Sequence, residues 1–193
     1  MSPLQEAILA THRMLECRSS EWTVVDEEWG TDPSLKLLLP TSLEMRPESV
    51  MMLVSAQSML VVVTDALRIG MPQLKSAMEA LETKGVHRLH IVSANHLMTQ
   101  LQNIQAFRDR FRVISWQLIL TYPLDHQLVP KHRCATPEDL KMLPQGALKR
   151  RSILPAIRAD DAIIQYLGLS VNDIVRIDRL DGTVYFRVVI PTR

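Results

Sequence analysis

Histidine and cysteine are the residue types in this 193-residue chain that could bind a transition metal. His87 and His90 lie three positions apart at the start of a predicted strand, and His126, His132 and Cys134 follow later. Side chains three apart on a strand point to opposite faces, so His87 and His90 cannot share a metal there. No CxxC or HExxH pattern supports a zinc site. We therefore expect no metal and no cofactor, and we interpret His132 as a histidine that bonds to the backbone.

Cleavage of DNA with Mg²⁺ is a second possible chemistry. Asp65 follows a predicted strand, and Glu82 and Lys84 come later with the acid-x-lysine spacing of restriction-endonuclease-like enzymes. That chemistry needs the second acid and the lysine on a strand beside the first acid. Here both fall at the end of a predicted helix, where a lysine complements the helix dipole. A metal-dependent nuclease with a restriction-endonuclease-like fold remains the enzymatic alternative.

Covalent catalysis has little support in the sequence. There is no Gly-rich phosphate loop, no nucleophile elbow and no Cys–His pair at a recognisable spacing. Cys134 follows His132 and Arg133, whose positive charge would lower the pKa of its thiol. Nothing nearby supplies an oxyanion hole, so we predict no catalytic residue.

Two basic clusters could contact phosphates. One has three arginines at alternate positions with phenylalanines between them: Arg108, Arg110, Arg112, Phe107 and Phe111. On an extended stretch the arginines would share one face and the phenylalanines would point inward. The other cluster is Lys-Arg-Arg at residues 149–151. A solvated strand edge is the commoner meaning of such a cluster, and three charges alone give only weak, salt-sensitive affinity for DNA.

The composition is that of an ordinary globular protein, with 47% hydrophobic and 22% charged residues and a net charge of +1. Two distant cysteines exclude a disulfide scaffold and fit a reducing compartment. The apolar stretch at residues 50–63 is shorter than the roughly 20 residues of a membrane-spanning helix. The first residues lack the basic start of a signal peptide. We expect a soluble intracellular protein.

A change of charge divides the chain into two predicted domains. Residues 1–127 carry 11 basic and 14 acidic residues, whereas residues 128–193 carry 11 and 7. The first domain reads as a helix near the N-terminus, strands at 50–54, 59–63, 89–93, 112–116 and 118–121, and helices at 72–83 and 95–107. Alternation of strands and helices predicts a mixed α/β domain with at least partly parallel pairing.

The second domain reads as a small α+β unit. Thr136, Pro137 and two acidic residues predict a capped helix that ends before Pro144. A short helix from residue 160 or 161 to 167 ends at Gly168, which we place in the left-handed cap position. Strands at 174–179 and 183–190 flank an Asp-Gly pair, which predicts a terminal β-hairpin.

Residues 126–132, HQLVPKH, introduce a more specific signal. With the capped acidic helix that follows, this run resembles the assembly domain of the fifth subunit of nuclear RNA polymerases, and of its archaeal homologue, which consists of little more than that domain. Further matches follow in the same order and spacing: Leu154-Pro155, Ile157, Asp160, Tyr166-Leu167-Gly168, Asp173 to Ile177, Arg179, and Tyr185 to Val188. Upstream, residues 59–63, 88–100 and 117–126 follow, more loosely, the order of the family's jaw domain.

The resemblance implies a non-catalytic polymerase subunit in the nucleus, including the nucleolus. It implies docking on the largest subunit near the small omega-like subunit, and a jaw domain beside downstream duplex DNA, bound weakly and without sequence preference. The implied nucleic-acid-proximal residues are Arg108, Arg110 and Arg112. The implied partner-binding residues are His126, Leu128, Val129, Pro130, His132, Pro155, Asp160, Tyr166, Gly168, Arg179, Tyr185 and Arg187. An adaptor outside polymerase is the second alternative.

The chain departs from the family pattern at three places. Asp161 stands where a proline is usual, and Gln165 where a basic residue is usual. The serine-glutamate-threonine loop between the last two strands is missing, because Arg179 runs through residues 180–182 directly into the final strand. A shorter turn keeps the hairpin and removes a surface loop.

Overall fold

The chain forms two compact units, Met1–Leu120 and Thr121–Arg193, in a computed structural model. The structure describes residues 3–18, 50–54, 59–64, 75, 78–79, 81–83, 85–94, 110–144 and 146–192. The sequence-based boundary after residue 127 stays a prediction. Among the described residues, no helix has the length and apolar character needed to cross a bilayer.

The first unit contains a four-stranded mixed sheet with the order β1-β2-β3-β4. Its strands are β1 (Val50–Val54), β2 (Met59–Thr64), β3 (Arg88–Ser93) and β4 (Phe111–Ser115). β1 runs antiparallel to β2, while β2 pairs in parallel with β3 and β3 in parallel with β4. The predicted partly parallel pairing is confirmed.

Helix α1 (Pro3–Arg18) packs against β2 through the apolar face that its sequence predicts. Leu4, Ala7, Met14 and Leu15 on this face are buried. Thr11 is buried on the same helix, and its hydroxyl donates to the Ala7 carbonyl at 2.7 Å. This bond satisfies a polar group that would otherwise be costly to bury.

The prediction of a strand at residues 118–121 is wrong. The chain instead forms a short helix, α2 (Trp116–Leu120), directly after β4. Helical spacing puts Trp116 and Ile119 on one face, where both are buried, whereas a strand would send them to opposite faces. The Trp116 indole N–H also donates to the Val92 carbonyl at 3.3 Å, which ties the helix to β3.

The helix predicted at residues 72–83 is described at residues 75, 78–79 and 81–83, all of which are helical. Met78 and Leu81 are buried there as predicted. The helix ends where the sequence places it, because Gly85 adopts a left-handed φ of 77° and its N–H donates to the Glu82 carbonyl at 2.9 Å. The predicted helix at 95–107 lies outside the described residues.

The second unit contains a four-stranded sheet with the order β5-β7-β8-β6. The strands are β5 (Lys131–Cys134), β6 (Ala156–Arg158), β7 (Ile174–Asp178) and β8 (Val184–Ile190). β7 runs antiparallel to both β5 and β8, whereas β6 joins β8 in parallel. The two predicted C-terminal strands are therefore present, and β5 and β6 are strands that the sequence did not reveal.

Two short helices of the second unit are capped, and the caps at Thr136 and Gly168 are those that the sequence predicts. Before α3 (Pro137–Leu140), the Thr136 hydroxyl accepts from the Asp139 N–H at 3.3 Å, and the Asp139 carboxylate accepts from the Thr136 N–H at 2.8 Å. Before α4 (Ala162–Leu167), Asp161 accepts from the Ile163 N–H at 2.9 Å. Gly168 ends α4 in the left-handed region with a φ of 71°.

Candidate partner-binding groove

A groove of about 320 Å³ opens on the second unit, beside the sheet. Three separate segments of the chain build it: the run before and into β5, the β6–α4 connection, and the β7–β8 hairpin. The lining residues are Leu128, Val129, Pro130, His132, Ile157, Asp161, Ile163, Ile177, Arg179, Tyr185 and Arg187.

The floor of the groove is apolar because three isoleucines from different elements meet there. Ile177 of β7 is buried in the core of the unit, and Ile157 of β6 and Ile163 of α4 pack against the same core cluster. The rim is apolar as well as exposed, since Leu128 leaves 84% of its surface open and Tyr185 leaves 42%. An exposed leucine beside an apolar floor is typical of a surface that a partner covers.

The charges that line the groove are mainly positive. The Arg179 guanidinium lies over the Tyr185 ring, 3.9 Å from its centroid, so the ring orients the cation. Arg187 donates to the Ala156 carbonyl at 3.4 Å, across the β8–β6 pair. Asp161 is the carboxylate among the lining residues, and it is already engaged as the cap of α4. The groove therefore suits an apolar segment that carries negative charge.

The turn before β5 holds the exposed rim in place through its own hydrogen bonds. The His132 Nδ1–H donates to the Pro130 carbonyl at 2.6 Å, which confirms its interpretation as a backbone-bonding histidine. The His126 Nδ1 accepts from the Leu128 N–H at 3.2 Å, and its carbonyl accepts from the Val129 N–H at 2.8 Å. These bonds fix the backbone that carries Leu128, although its side chain is exposed.

The chemistry of the groove is that of binding. Its lining supplies no serine, cysteine or lysine nucleophile. Within the described residues, histidine, cysteine and carboxylate side chains do not gather in a group of three that could hold a metal ion. Seven of the twelve predicted partner-binding residues line this single groove, although they come from segments far apart in sequence.

The comparisons with known proteins point to one family. Residues 122–189 match the family model described as RNA polymerase Rpb5, C-terminal domain. Subunit Rpo5 of DNA-directed RNA polymerase from Methanosarcina acetivorans is 37% identical over 71 residues, which cover 35% of this chain and 91% of the archaeal protein. The chain belongs to the Rpb5 family of RNA polymerase subunits.

The similarity continues beyond the C-terminal domain. Subunit rpabc1 of DNA-directed RNA polymerases I, II and III from Dictyostelium discoideum is 29% identical over 125 residues, or 62% of this chain. The match spans 63% of the length of that relative. Rpb5 and Rpo5 proteins are structural, non-catalytic subunits, and the alternative of a metal-dependent nuclease has no support among these relatives.

The five other residues that the Rpb5 resemblance assigned to partner contact lie outside the groove. His126 and Pro155 are exposed, and Asp160 is exposed in a two-bond ion pair with Arg158 at 2.6 and 2.8 Å. Hydrogen bonds from Arg158 hold the pKa of the Asp160 carboxyl below its ordinary value. Gly168 forms the cap of α4.

Tyr166 needs a correction, because its side chain is only 1% exposed. It is among the largest fully buried side chains in the described part of the chain, so it lies in the core rather than on a docking surface. An apolar position on a six-residue helix has to face the sheet for the helix to be stable. Tyr166 therefore supports the fold of the unit.

The arginines predicted near nucleic acid are only partly within the described residues. Arg110 forms an ion pair with Glu82 and donates to the His87 carbonyl at 3.3 Å, so its charge is partly compensated. Arg112 is half-buried on β4, and its neighbour Phe111 is buried as predicted. Arg108, like Phe107, Asp65 and Lys84, lies outside the described residues.

His87 and His90 lie in different environments, as the alternation of side chains along a strand predicts. His90 is buried, while His87 is exposed just before the strand. Burial, reinforced by the positive charge of Arg18, holds the pKa of the His90 imidazole well below its ordinary value. Arg18 also lies within hydrogen-bond distance of the His90 Nδ1, at 3.3 Å. His90 is therefore a neutral core residue rather than a metal ligand shared with His87.

The expectation of a lowered pKa at Cys134 is wrong. Desolvation raises the pKa of its thiol, and the nearby carboxylate of Asp173 raises it further. Arg133 lowers the pKa, as its sequence position suggested, but this effect is smaller. Its guanidinium is bound to Asp139, which neutralises much of the charge that would stabilise a thiolate.

Sequence reasoning missed two parts of the site. Ile163 carries no signal in the sequence, and Ile157 matched the family pattern without being assigned to a site; only the fold of the unit brings both into one groove with Tyr185 and Arg187. It also missed the role of Asp139, which is 3% exposed and binds Arg133 of β5 and Arg176 of β7. The spacing from Thr136 identified Asp139 as a helix-start acid but not as the centre of an ion-pair network.

Proposed function

We propose that this chain is a non-catalytic subunit of a nuclear DNA-directed RNA polymerase and docks on the largest subunit through its C-terminal domain, residues 128–193. The supporting observation is the groove, which gathers seven of the residues that the family resemblance assigns to partner contact. It lies within the segment that matches the Rpb5 C-terminal domain. The small omega-like subunit is the second proposed neighbour.

The N-terminal domain is proposed to form part of the lower jaw beside downstream duplex DNA. The match to the Dictyostelium subunit supports this placement, because it covers 62% of the chain and so extends beyond the C-terminal domain. The name of that relative assigns it to polymerases I, II and III, which supports a location in the nucleus and the nucleolus. Contact with DNA through Arg108, Arg110 and Arg112 is expected to be weak and non-specific, since Arg110 already pairs with Glu82.

Leu128→Asp tests the groove as the docking surface. The side chain of Leu128 is 84% exposed, so the change should leave the melting temperature within about 2 °C. An aspartate would replace an apolar contact and repel the negatively charged segment that the groove suits, and we expect recovery of the largest polymerase subunit with the tagged chain to fall about tenfold or more. The measurement is quantitative mass spectrometry of the co-purified proteins.

Leu9→Asp is the matched control, because Leu9 is also exposed (55%) but lies on α1 of the first unit. We expect this variant to retain the polymerase subunits. Equal recovery of polymerase with both variants would contradict docking through the groove. Recovery of a different, defined complex that is lost only with Leu128→Asp would favour the adaptor alternative.

A further inference from the structure

A second surface on the C-terminal unit combines positive charge with exposed apolar side chains. Between residues 141 and 153 the chain has four basic residues and no carboxylate. Three large apolar side chains in the same segment are 49–59% exposed. We call this surface the basic–apolar face; its residues are Lys141, Met142, Leu148, Lys149, Arg150 and Ile153.

At residues 141–144 and 146–153 the backbone is held by successive turns. The N–H groups of Met142, Ala147 and Ile153 donate to carbonyls three residues earlier, each at 3.0 Å. The inward side of the segment packs on one core cluster, formed by Leu140, Leu143, Ala147, Leu154, Ile174, Val188, Ala135 and Phe186. The intervening side chains are therefore presented outward from a defined scaffold rather than from a free loop.

The charges of neighbouring residues leave the face positive. Arg151 is turned away to donate to the Asn172 carbonyl. Asp139, just before the segment, is bound to Arg133 and Arg176, so its charge is compensated. Glu138 is exposed in the first turn of α3 and is the acidic group that remains beside Lys141 in the chain.

We propose that the basic–apolar face binds an acidic protein segment that carries large apolar or aromatic side chains between its carboxylates. Charge complementarity selects an anionic partner. The apolar side chains distinguish a peptide from nucleic acid, because a phosphate backbone has little to bury against Met142, Leu148 and Ile153. The face shares no residue with the groove, so this proposal does not depend on docking to polymerase.

Fluorescence anisotropy with the full chain tests the proposal. The probes are a labelled peptide that alternates aspartate with leucine and phenylalanine, a peptide of aspartate and serine, and a short DNA duplex, all at low salt. We expect Lys149→Ala/Arg150→Ala to weaken binding of the first peptide about tenfold and Met142→Gln to weaken it about threefold.

Matched controls are Lys75→Ala/Lys131→Ala, which removes two exposed charges elsewhere, and Leu9→Gln, which removes an apolar side chain of similar exposure. Both should change the affinity less than about twofold.

Three results would overturn the proposal. The first is no detectable binding of the leucine–phenylalanine peptide. The second is equal affinity for the aspartate–serine peptide, which would show that the apolar side chains contribute nothing. The third is tighter binding of DNA that is lost in Lys149→Ala/Arg150→Ala but unchanged in Met142→Gln, which would make the face a phosphate-binding surface.

Discussion

Gly168→Val is expected to lower the melting temperature of the C-terminal unit by about 5–10 °C. Gly168 adopts a φ of 71°, where a β-branched residue costs roughly 1–2 kcal/mol. A loss of that size shifts the melting temperature of a small domain by several degrees. The Gly168 N–H donates to the Gln165 carbonyl at 3.1 Å, and the next N–H reaches Ile164. Strain there displaces the end of α4, where Tyr166 and Leu167 are buried.

Gly168→Asn is the control, because asparagine tolerates the left-handed region better than valine does. We expect it to retain most of the stability and the recovery of polymerase. Gly146→Val is a second comparison, and its backbone cost is similar because Gly146 has a φ of 88°. Since open space surrounds its Cβ position and it caps no packed helix, we expect a smaller loss of stability than for Gly168→Val. Equal melting temperatures for Gly168→Val and Gly168→Asn, measured by calorimetry of the full chain, would contradict the cap interpretation.

Asp139→Asn should cause a second large loss of stability, about 5–10 °C in melting temperature near neutral pH. The Asp139 carboxylate accepts two bonds from Arg133, at 2.5 and 3.0 Å, and further bonds from Arg176 and from the hydroxyl and N–H of Thr136. An amide removes the negative charge and leaves two guanidinium groups facing each other. The network joins α3 to β5 and β7, so its loss loosens the sheet as well as the helix.

Asp178→Asn is the matched control, because Asp178 accepts from the same arginine, through Arg176 Nε at 2.7 Å, but is more exposed. We expect this variant to lose clearly less stability than Asp139→Asn. Similar melting temperatures for the two variants would show that Asp139 is not the centre of the network.

The pH dependence of the stability difference between wild type and Asp139→Asn is a further test of the same network. Hydrogen bonds from Arg133, with others from Thr136 and Arg176, hold the pKa of the Asp139 carboxyl well below its usual range. A depressed folded pKa contributes stability above the unfolded pKa, about 4, and loses it progressively as the pH falls toward the folded pKa. The difference in melting temperature between wild type and Asp139→Asn should therefore narrow below about pH 4. A constant difference down to low pH would contradict the assignment.

The elements whose signals come from residues close together in the sequence could be predicted from it. Thr136 followed by Pro137 and Asp139, and Gly168 after the second short helix, are local signals, and the caps that they predict are present at α3 and α4. Strand β6 could not be predicted, because three residues become a strand only by pairing with β8, far away in the chain. Residues 118–121 were misread because an apolar run suits a strand or a buried helix equally.

The groove likewise combines residues that the sequence could identify with a geometry that only the fold provides. Its rim follows from the resemblance, since Leu128, Arg179 and Tyr185 occupy family positions. Ile157 and Ile177 of the floor also matched the family pattern, but only the fold brings them beside Ile163 in one groove. The misplaced Tyr166 has the same origin, because family position alone does not separate a contact residue from a core residue.

Cross-linking from the rim of the groove tests the central claim most directly. A photo-reactive phenylalanine analogue at position 128 would project from a side chain that is 84% exposed, and the same analogue at position 9 serves as the control. After illumination of cells that express the tagged full chain, we predict a cross-link from position 128 to the largest subunit of a nuclear RNA polymerase and none to that subunit from position 9. A dominant cross-link from position 128 to a protein outside polymerase would contradict the account.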